Sequence, residues 1–92
     1  MGESLSVVVL AYGDEPHLNG CIQSILANEA VTEIVIVDNG ASDAIAKLPS
    51  DPAIQILSPG LNLGFAAGCN LAAETATGST LVFVNSDVEL EP

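Results

Sequence analysis

Four short apolar runs rich in β-branched residues, each followed by turn formers and most of them joined through helical patterns, constrain this chain more than any other feature. Residues 5–11 (LSVVVLA), 33–37 (EIVIV), 54–57 (IQIL) and 80–84 (TLVFV) each have the length and composition of a strand. The first run is almost continuously apolar, which suits a strand covered on both faces, as in a parallel sheet. Between the first and second runs, Leu18, Cys21, Ile22, Ile25 and Leu26 recur at i, i+3, i+4, i+7, i+8, the stripe of an amphipathic helix. Asp14 or Glu15 is placed to cap that helix, with Pro16 in its first turn, so the spacing predicts a helix over about 15–28. A second helix is predicted over about 65–76, with Phe65, Cys69, Ala72, Ala73 and Ala76 on its inner face and Gly78 ending it. The segment 39–53 is polar and broken by Pro49 and Pro52, with room for one or two helical turns around 44–48 capped by Ser42-Asp43.

The order β-α-β-(turn)-β-α-β predicts an α/β fold: an open, mostly parallel sheet of about four strands with helices on both faces. With the first strand central, strands two and three extend to one side and strand four returns to the other. This leaves a crevice at the carboxyl ends of strands one and four, where α/β sheets bind ligands. Cys21 and Cys69 then fall on opposite sheet faces, so they are expected to be buried free thiols and not a disulfide.

Ninety-two residues with 49% hydrophobic content allow one core, and hence one domain or part of one. No apolar run is long enough to span a bilayer and the first residues lack the basic start of a signal peptide, so the chain is expected in the cytoplasm. Twelve carboxylates face a single Lys47 with no arginine, a net charge of −11. Nucleic acid is excluded as a partner on that balance, because its phosphates are held mainly by Lys and Arg. A phosphate-bearing ligand requires a divalent cation such as Mg2+ or Mn2+ between its oxygens and the carboxylates.

Three residues lie at predicted strand ends beside the crevice. Asp87 follows strand four, with Asn85 and the Ser86 hydroxyl as neutral oxygen donors beside it, and suits a divalent ion held against a diphosphate; the same tripeptide also reads as a polar turn. Asp38 ends strand two, where its carboxylate either accepts a hydrogen bond from a base imide or closes an Asx turn on its own backbone. Tyr12 can stack on a base or simply pack at a strand end. The glycines of 60–70 (GLNLGFAAGCN) let backbone approach a ligand, but they form neither the dinucleotide fingerprint nor a phosphate-binding loop with its lysine. His17, the single histidine, reads as a solvated side chain and offers no Ser-His-Asp set.

Taken in order, 5–26 (LSVVVLAYGDEPHLNGCIQSIL), 33–43 (EIVIVDNGASD), 62–72 (NLGFAAGCNLA) and 81–92 (LVFVNSDVELEP) closely resemble the opening half of family 2 glycosyltransferases, especially the rhamnosyltransferase-like branch. The match spans essentially the whole chain, and the ordered combination is far more specific than any one motif. The resemblance implies a GT-A fold and a nucleotide-diphospho-sugar donor, UDP- or dTDP-linked, with Mg2+ or Mn2+, the sugar passing to a hydroxyl of a carbohydrate or lipid-linked acceptor. It also implies that Ala11, Tyr12 and Glu15 contact the nucleoside, that Asp38 and Asn39 read the pyrimidine, and that Gly64 and Asn70 border the donor. Asp87 matches the metal-binding last aspartate of the family's D-x-D-type motif, with Asn85 at its first position, one negative ligand fewer than the family's usual pair. Ala41 stands where a serine is usual and Gly13 where an asparagine is usual. The carboxylate that activates the acceptor in inverting relatives comes from the later half of the domain. Residues 1–92 are therefore expected to form a partial domain that binds the donor without completing transfer alone, Glu89 and Glu91 reading as a solvated acidic face. The exposed sheet edge is expected to allow self-association, and in the full-length enzyme the resemblance implies a place in the cytoplasm or peripheral to the membrane. Two readings compete: a catalytically silent interaction or regulatory module that keeps the fold, and a receiver-like phosphoacceptor domain, which expects a lysine at the end of a late strand where this chain has none.

Overall fold

The computed structural model describes residues 4–13, 15–59 and 64–85. Within them the chain forms β1 (Leu5–Ala11), α1 (Leu18–Leu26), β2 (Val31–Asp38), α2 (Ser42–Ala46), β3 (Ile54–Leu57), α3 (Gly64–Thr75) and β4 (Thr80–Val84). The four strands make one parallel sheet in the order β3-β2-β1-β4. This is the predicted α/β architecture, including the return of β4 to the far side of β1.

The alternation of side chains along each strand sorts the core into two layers. On one face Val7, Val9 and Ala11 of β1 and Ile34 and Ile36 of β2 pack against Leu18, Cys21, Ile22 and Ile25 of α1 and Ile45 of α2. On the other, Val8 and Leu10 with Val35 and Val37 meet Ala72, with Cys69 and Ala76 packed around them, all from α3 and its carboxyl end. Both faces of β1 and β2 are covered, which is why those runs are apolar at nearly every position. The two cysteines form no disulfide and lie in different layers, as expected, although only Cys21 is fully buried and Cys69 is half-covered.

Three expectations need correction. Helix α1 begins at Leu18, not near 15, and ends at Leu26. Its N-cap is His17, which makes no side-chain capping bond, while the Glu15 carboxylate accepts a hydrogen bond from the Tyr12 amide at 2.9 Å. Pro16 therefore sits in the turn before the helix. Asp14, the other proposed cap, lies outside the described residues. Strand β2 starts two residues earlier than the apolar run, at Val31, because β1 supplies pairing partners back to Leu5. On α3, Ala73 is exposed and Gly68 takes the inward position instead; the side chain of Phe65 lies outside the described set.

A side chain at the inward position 68 would have to push its neighbours aside. A Cβ there would sit 2.8 Å from Leu10 Cδ2 and 3.3 Å from Asn39 Nδ2. Helix α3 thus approaches the carboxyl ends of β1 and β2 closely, and those ends carry the site.

Candidate functional site

The carboxyl ends of β1 and β2 are locked together. Ala11 pairs with Asp38 across the sheet, and the Asn39 amide donates to the Ala11 carbonyl at 2.9 Å. Tyr12 follows β1 and is 36% exposed, its ring available at the rim. The bond from its amide to Glu15 folds the β1–α1 connection back on itself, so Ala11, Tyr12 and Glu15 form one corner.

Asp38 closes an Asx turn: Oδ1 accepts hydrogen bonds from the amides of Gly40 at 3.0 Å and Ala41 at 2.7 Å. Gly40 has φ 102°, a backbone state that L side chains rarely adopt, and there is open space where its Cβ would be. The turn therefore holds the half-buried carboxylate at the strand end and leaves the ground above it clear. Asn39 behaves differently. It is 3% exposed and lies under α3 beside Gly68, so its side chain belongs to the floor of the site.

Strand β4 ends at Val84, opposite Val9, and Asn85 follows it, exposed at the same edge as Tyr12. The Asn85 carbonyl is approached by the Cys21 thiol at 3.6 Å, which ties the end of β4 to α1. Gly64 opens α3 with φ 79° and open space around it. Asn70, two residues from each of the inward-facing Gly68 and Ala72, is exposed on a different flank of α3. The structure thus gathers Ala11, Tyr12, Glu15, Asp38 and Asn39 around the ends of β1 and β2, places Asn85 on the neighbouring strand end, and sets Asn70 apart from them.

Ser86 and Asp87 lie outside the described residues, as do Glu89 and Glu91 and the loop 60–63. Among the described residues no three His, Cys, Asp or Glu side chains converge as a metal site. Asn85, the one described residue of the expected Asn85-Ser86-Asp87 set, offers a neutral oxygen. A separate cleft of about 460 Å³ lies between the amino end of α1 and α2, lined by Glu15, Pro16, Asn19, Asp43, Ala44 and Lys47. Of the expected donor contacts only Glu15 borders it, at the far side of the corner from Tyr12.

A group that sequence reasoning missed sits at the opposite, amino end of the sheet. Glu33 Oε1 accepts hydrogen bonds from the Ser6 hydroxyl at 2.7 Å, the Thr77 amide at 2.9 Å and the Thr77 hydroxyl at 3.4 Å. Ser6 Oγ in turn accepts from the Gly78 amide at 2.8 Å. These hydrogen bonds, the one from Ser6 foremost, hold the Glu33 carboxyl below its usual range. The only sequence signal was a polar residue, Ser6, inside an apolar strand.

An open parallel sheet in the order β3-β2-β1-β4, with helices on both faces, is an α/β domain of the doubly wound class. The family described as "Glycosyl transferase family 2" matches residues 6–92, and the chain belongs to that family. It is 35% identical over 92 residues to the uncharacterized protein MT1568 of Mycobacterium tuberculosis, covering 96% of this chain and 29% of that protein. It is 31% identical over 93 residues to the succinoglycan biosynthesis protein ExoO of Rhizobium meliloti, covering 96% of this chain and 26% of that protein. The fold is similar to the crystal structure of S. aureus TarS 1–349, with a TM-score of 0.73 and 22% identity over 94% of this chain and 28% of that one. The chain thus spans less than a third of the length of these relatives. Among the described residues no helix is long and apolar enough to cross a membrane.

Proposed function

We propose that residues 1–92 are the donor-binding part of a glycosyltransferase, holding a nucleotide-diphospho-sugar over the carboxyl ends of β1, β2 and β4 with the help of Mg2+ or Mn2+. The observation that carries this reading is the juxtaposition, in a chain of glycosyl transferase family 2, of Tyr12, the Asp38 turn and Asn85 along one edge at the sheet's switch point. The Tyr12 ring stacks on the base and Asp38 accepts from its imide, which selects a uridine or thymidine nucleotide. Asn39 supports this from below, and Gly64 leaves room for the diphosphate near the amino end of α3.

A chain with one lysine and a net charge of −11 repels a diphosphate unless a cation intervenes. Asp87, with Asn85 and Ser86 beside it, is the group to hold that ion, which neutralises the phosphate oxygens when bound. The acceptor, a carbohydrate or lipid-linked hydroxyl, and the base that activates it belong to the rest of a full-length enzyme. Similarity to a protein named for succinoglycan biosynthesis supports a role in polysaccharide assembly, and the motif set supports a rhamnosyltransferase-like donor. Such an enzyme works in the cytoplasm or against the inner membrane surface, and the bare β4 edge offers a place for copies of the partial domain to associate.

A thermal-shift titration with UDP, dTDP and their sugars, with and without manganese, tests the proposal. Stabilisation that requires both nucleotide and metal and is lost in Asp87→Ala is expected. Equal stabilisation in the presence of a chelator refutes the metal role, and no response to any nucleotide favours the silent interaction module.

A further inference from the structure

We propose that Glu33 is a positioning residue that fixes the register of β4 on β1 from the end of the sheet opposite the site. Among the described residues β4 is an edge strand, and Leu81, Val82 and Phe83 are 36%, 37% and 48% exposed, while Val84 at its carboxyl end packs against the core on the α1 side. Burial normally specifies register, because a one-residue slip moves every inward side chain outward. With Leu81, Val82 and Phe83 this exposed on both faces and Val84 packed only at the carboxyl end, burial does little to set the register at the start of β4.

The polar contacts at its start supply the difference. Strand β4 is entered through Thr77 and Gly78, and both are bound to the Glu33–Ser6 pair, which itself spans the register partners of β1 and β2. Ser6 is fully buried, so its hydroxyl bridges Glu33 and the Gly78 amide without competition from water. The bonds between Ser4 and Ser79 add to this at an exposed position, where water competes. The clamp also admits nothing larger than glycine at 78, since a Cβ there would sit 2.4 Å from Ser6 Oγ. Each residue of slip would carry Asn85 about 3.3 Å along the sheet edge, out of line with Tyr12.

Residue-resolved amide hydrogen exchange on the 92-residue chain, compared between wild type, Glu33→Ala and Glu33→Gln, tests the clamp. In Glu33→Ala the amides of β4 should exchange at least about tenfold faster, while those of β2 and β3 change much less. Glu33→Gln, which keeps a neutral acceptor for Ser6 and Thr77, should fall between the two and remains readable if the alanine variant folds poorly. Equal acceleration in all four strands, or unchanged β4 protection, overturns the proposal. A second arm, manganese-dependent UDP uptake, rests on the donor-binding reading and should weaken severalfold in Glu33→Ala with partial rescue by glutamine. A wild-type chain that takes up no UDP overturns the donor reading, and the exchange pattern then decides the clamp by itself.

Discussion

Replacing Gly78 by alanine tests the tightest surroundings found at any described glycine. Gly78 is not in the left-handed region, so alanine meets no conformational penalty there and the effect is one of space. The new methyl would lie 2.4 Å from Ser6 Oγ, 2.8 Å from Ser6 N and 3.2 Å from Leu5 C. The last two are backbone atoms of the central strand and cannot swing aside, so β4 must lift from β1 at its start. Overpacking of this kind costs about 1–3 kcal/mol, and losing the Gly78 amide bond to Ser6 adds about 1 kcal/mol. Reduced freedom of the unfolded chain returns about 0.4–1 kcal/mol. The net loss of about 1–3.5 kcal/mol is a sizeable part of the roughly 5–14 kcal/mol expected for 92 residues. Melting followed by circular dichroism should show a midpoint lowered by at least about 4 °C. A double variant, Ser6→Gly with Gly78→Ala, removes the hydroxyl overlap but leaves both backbone contacts, so it should recover only part of the loss. Gly78→Ala melting within about 1 °C of wild type would refute the close packing of the α3–β4 connection on β1.

Ile36→Ala empties a fully buried position between α1 and the sheet, and chemical denaturation should show a loss of about 2–5 kcal/mol with the slope unchanged. Glu33 predicts a pH dependence: its folded carboxyl titrates below its ordinary value of 4.5, so unfolding takes up a proton. The stability it contributes is complete above the unfolded value and is lost as pH falls through the lower folded one. Denaturation midpoints measured from pH 6 down to about 3 should therefore fall more steeply in wild type than in Glu33→Gln, and parallel curves would count against the carboxylate's role.

Much of this architecture is legible in the residues themselves. The limits of β1, β3 and β4 follow from apolar composition alone, since a run that stops at Tyr12 or begins at Thr80 changes character within one residue. The return of β4 to β1 follows from chain order and from the need to cover a second face. The start of α1 was not legible, because Glu15 has the chemistry of a cap yet serves the Tyr12 amide; capping depends on which donor a short side chain finds first. The burial of Asn39 was not legible either, because it depends on the approach of α3 at Gly68, a contact between segments distant along the chain. The clamp at Glu33 could not be foreseen, as Ser6, Glu33 and Thr77 are distant along the chain and meet only once strand register is set. At the site, the structure brings Ala11, Tyr12, Glu15 and Asp38 together at the ends of β1 and β2, and the roles of all of them, like those of Ser86 and Asp87, stand on the family resemblance.

The openness of β4 also bears on how the material behaves in a tube. An uncharged, proline-free strand with exposed Leu81, Val82 and Phe83 is a template for adding another chain, and the net charge of −11 is what opposes that encounter. Added salt screens the repulsion and leaves the strand unchanged, while acid removes the repulsion and also protonates Glu33 at the start of β4. Turbidity should therefore rise with ionic strength and with falling pH before secondary structure is lost, and a lysine at position 82, facing solvent on the bare edge, should keep the solution clear.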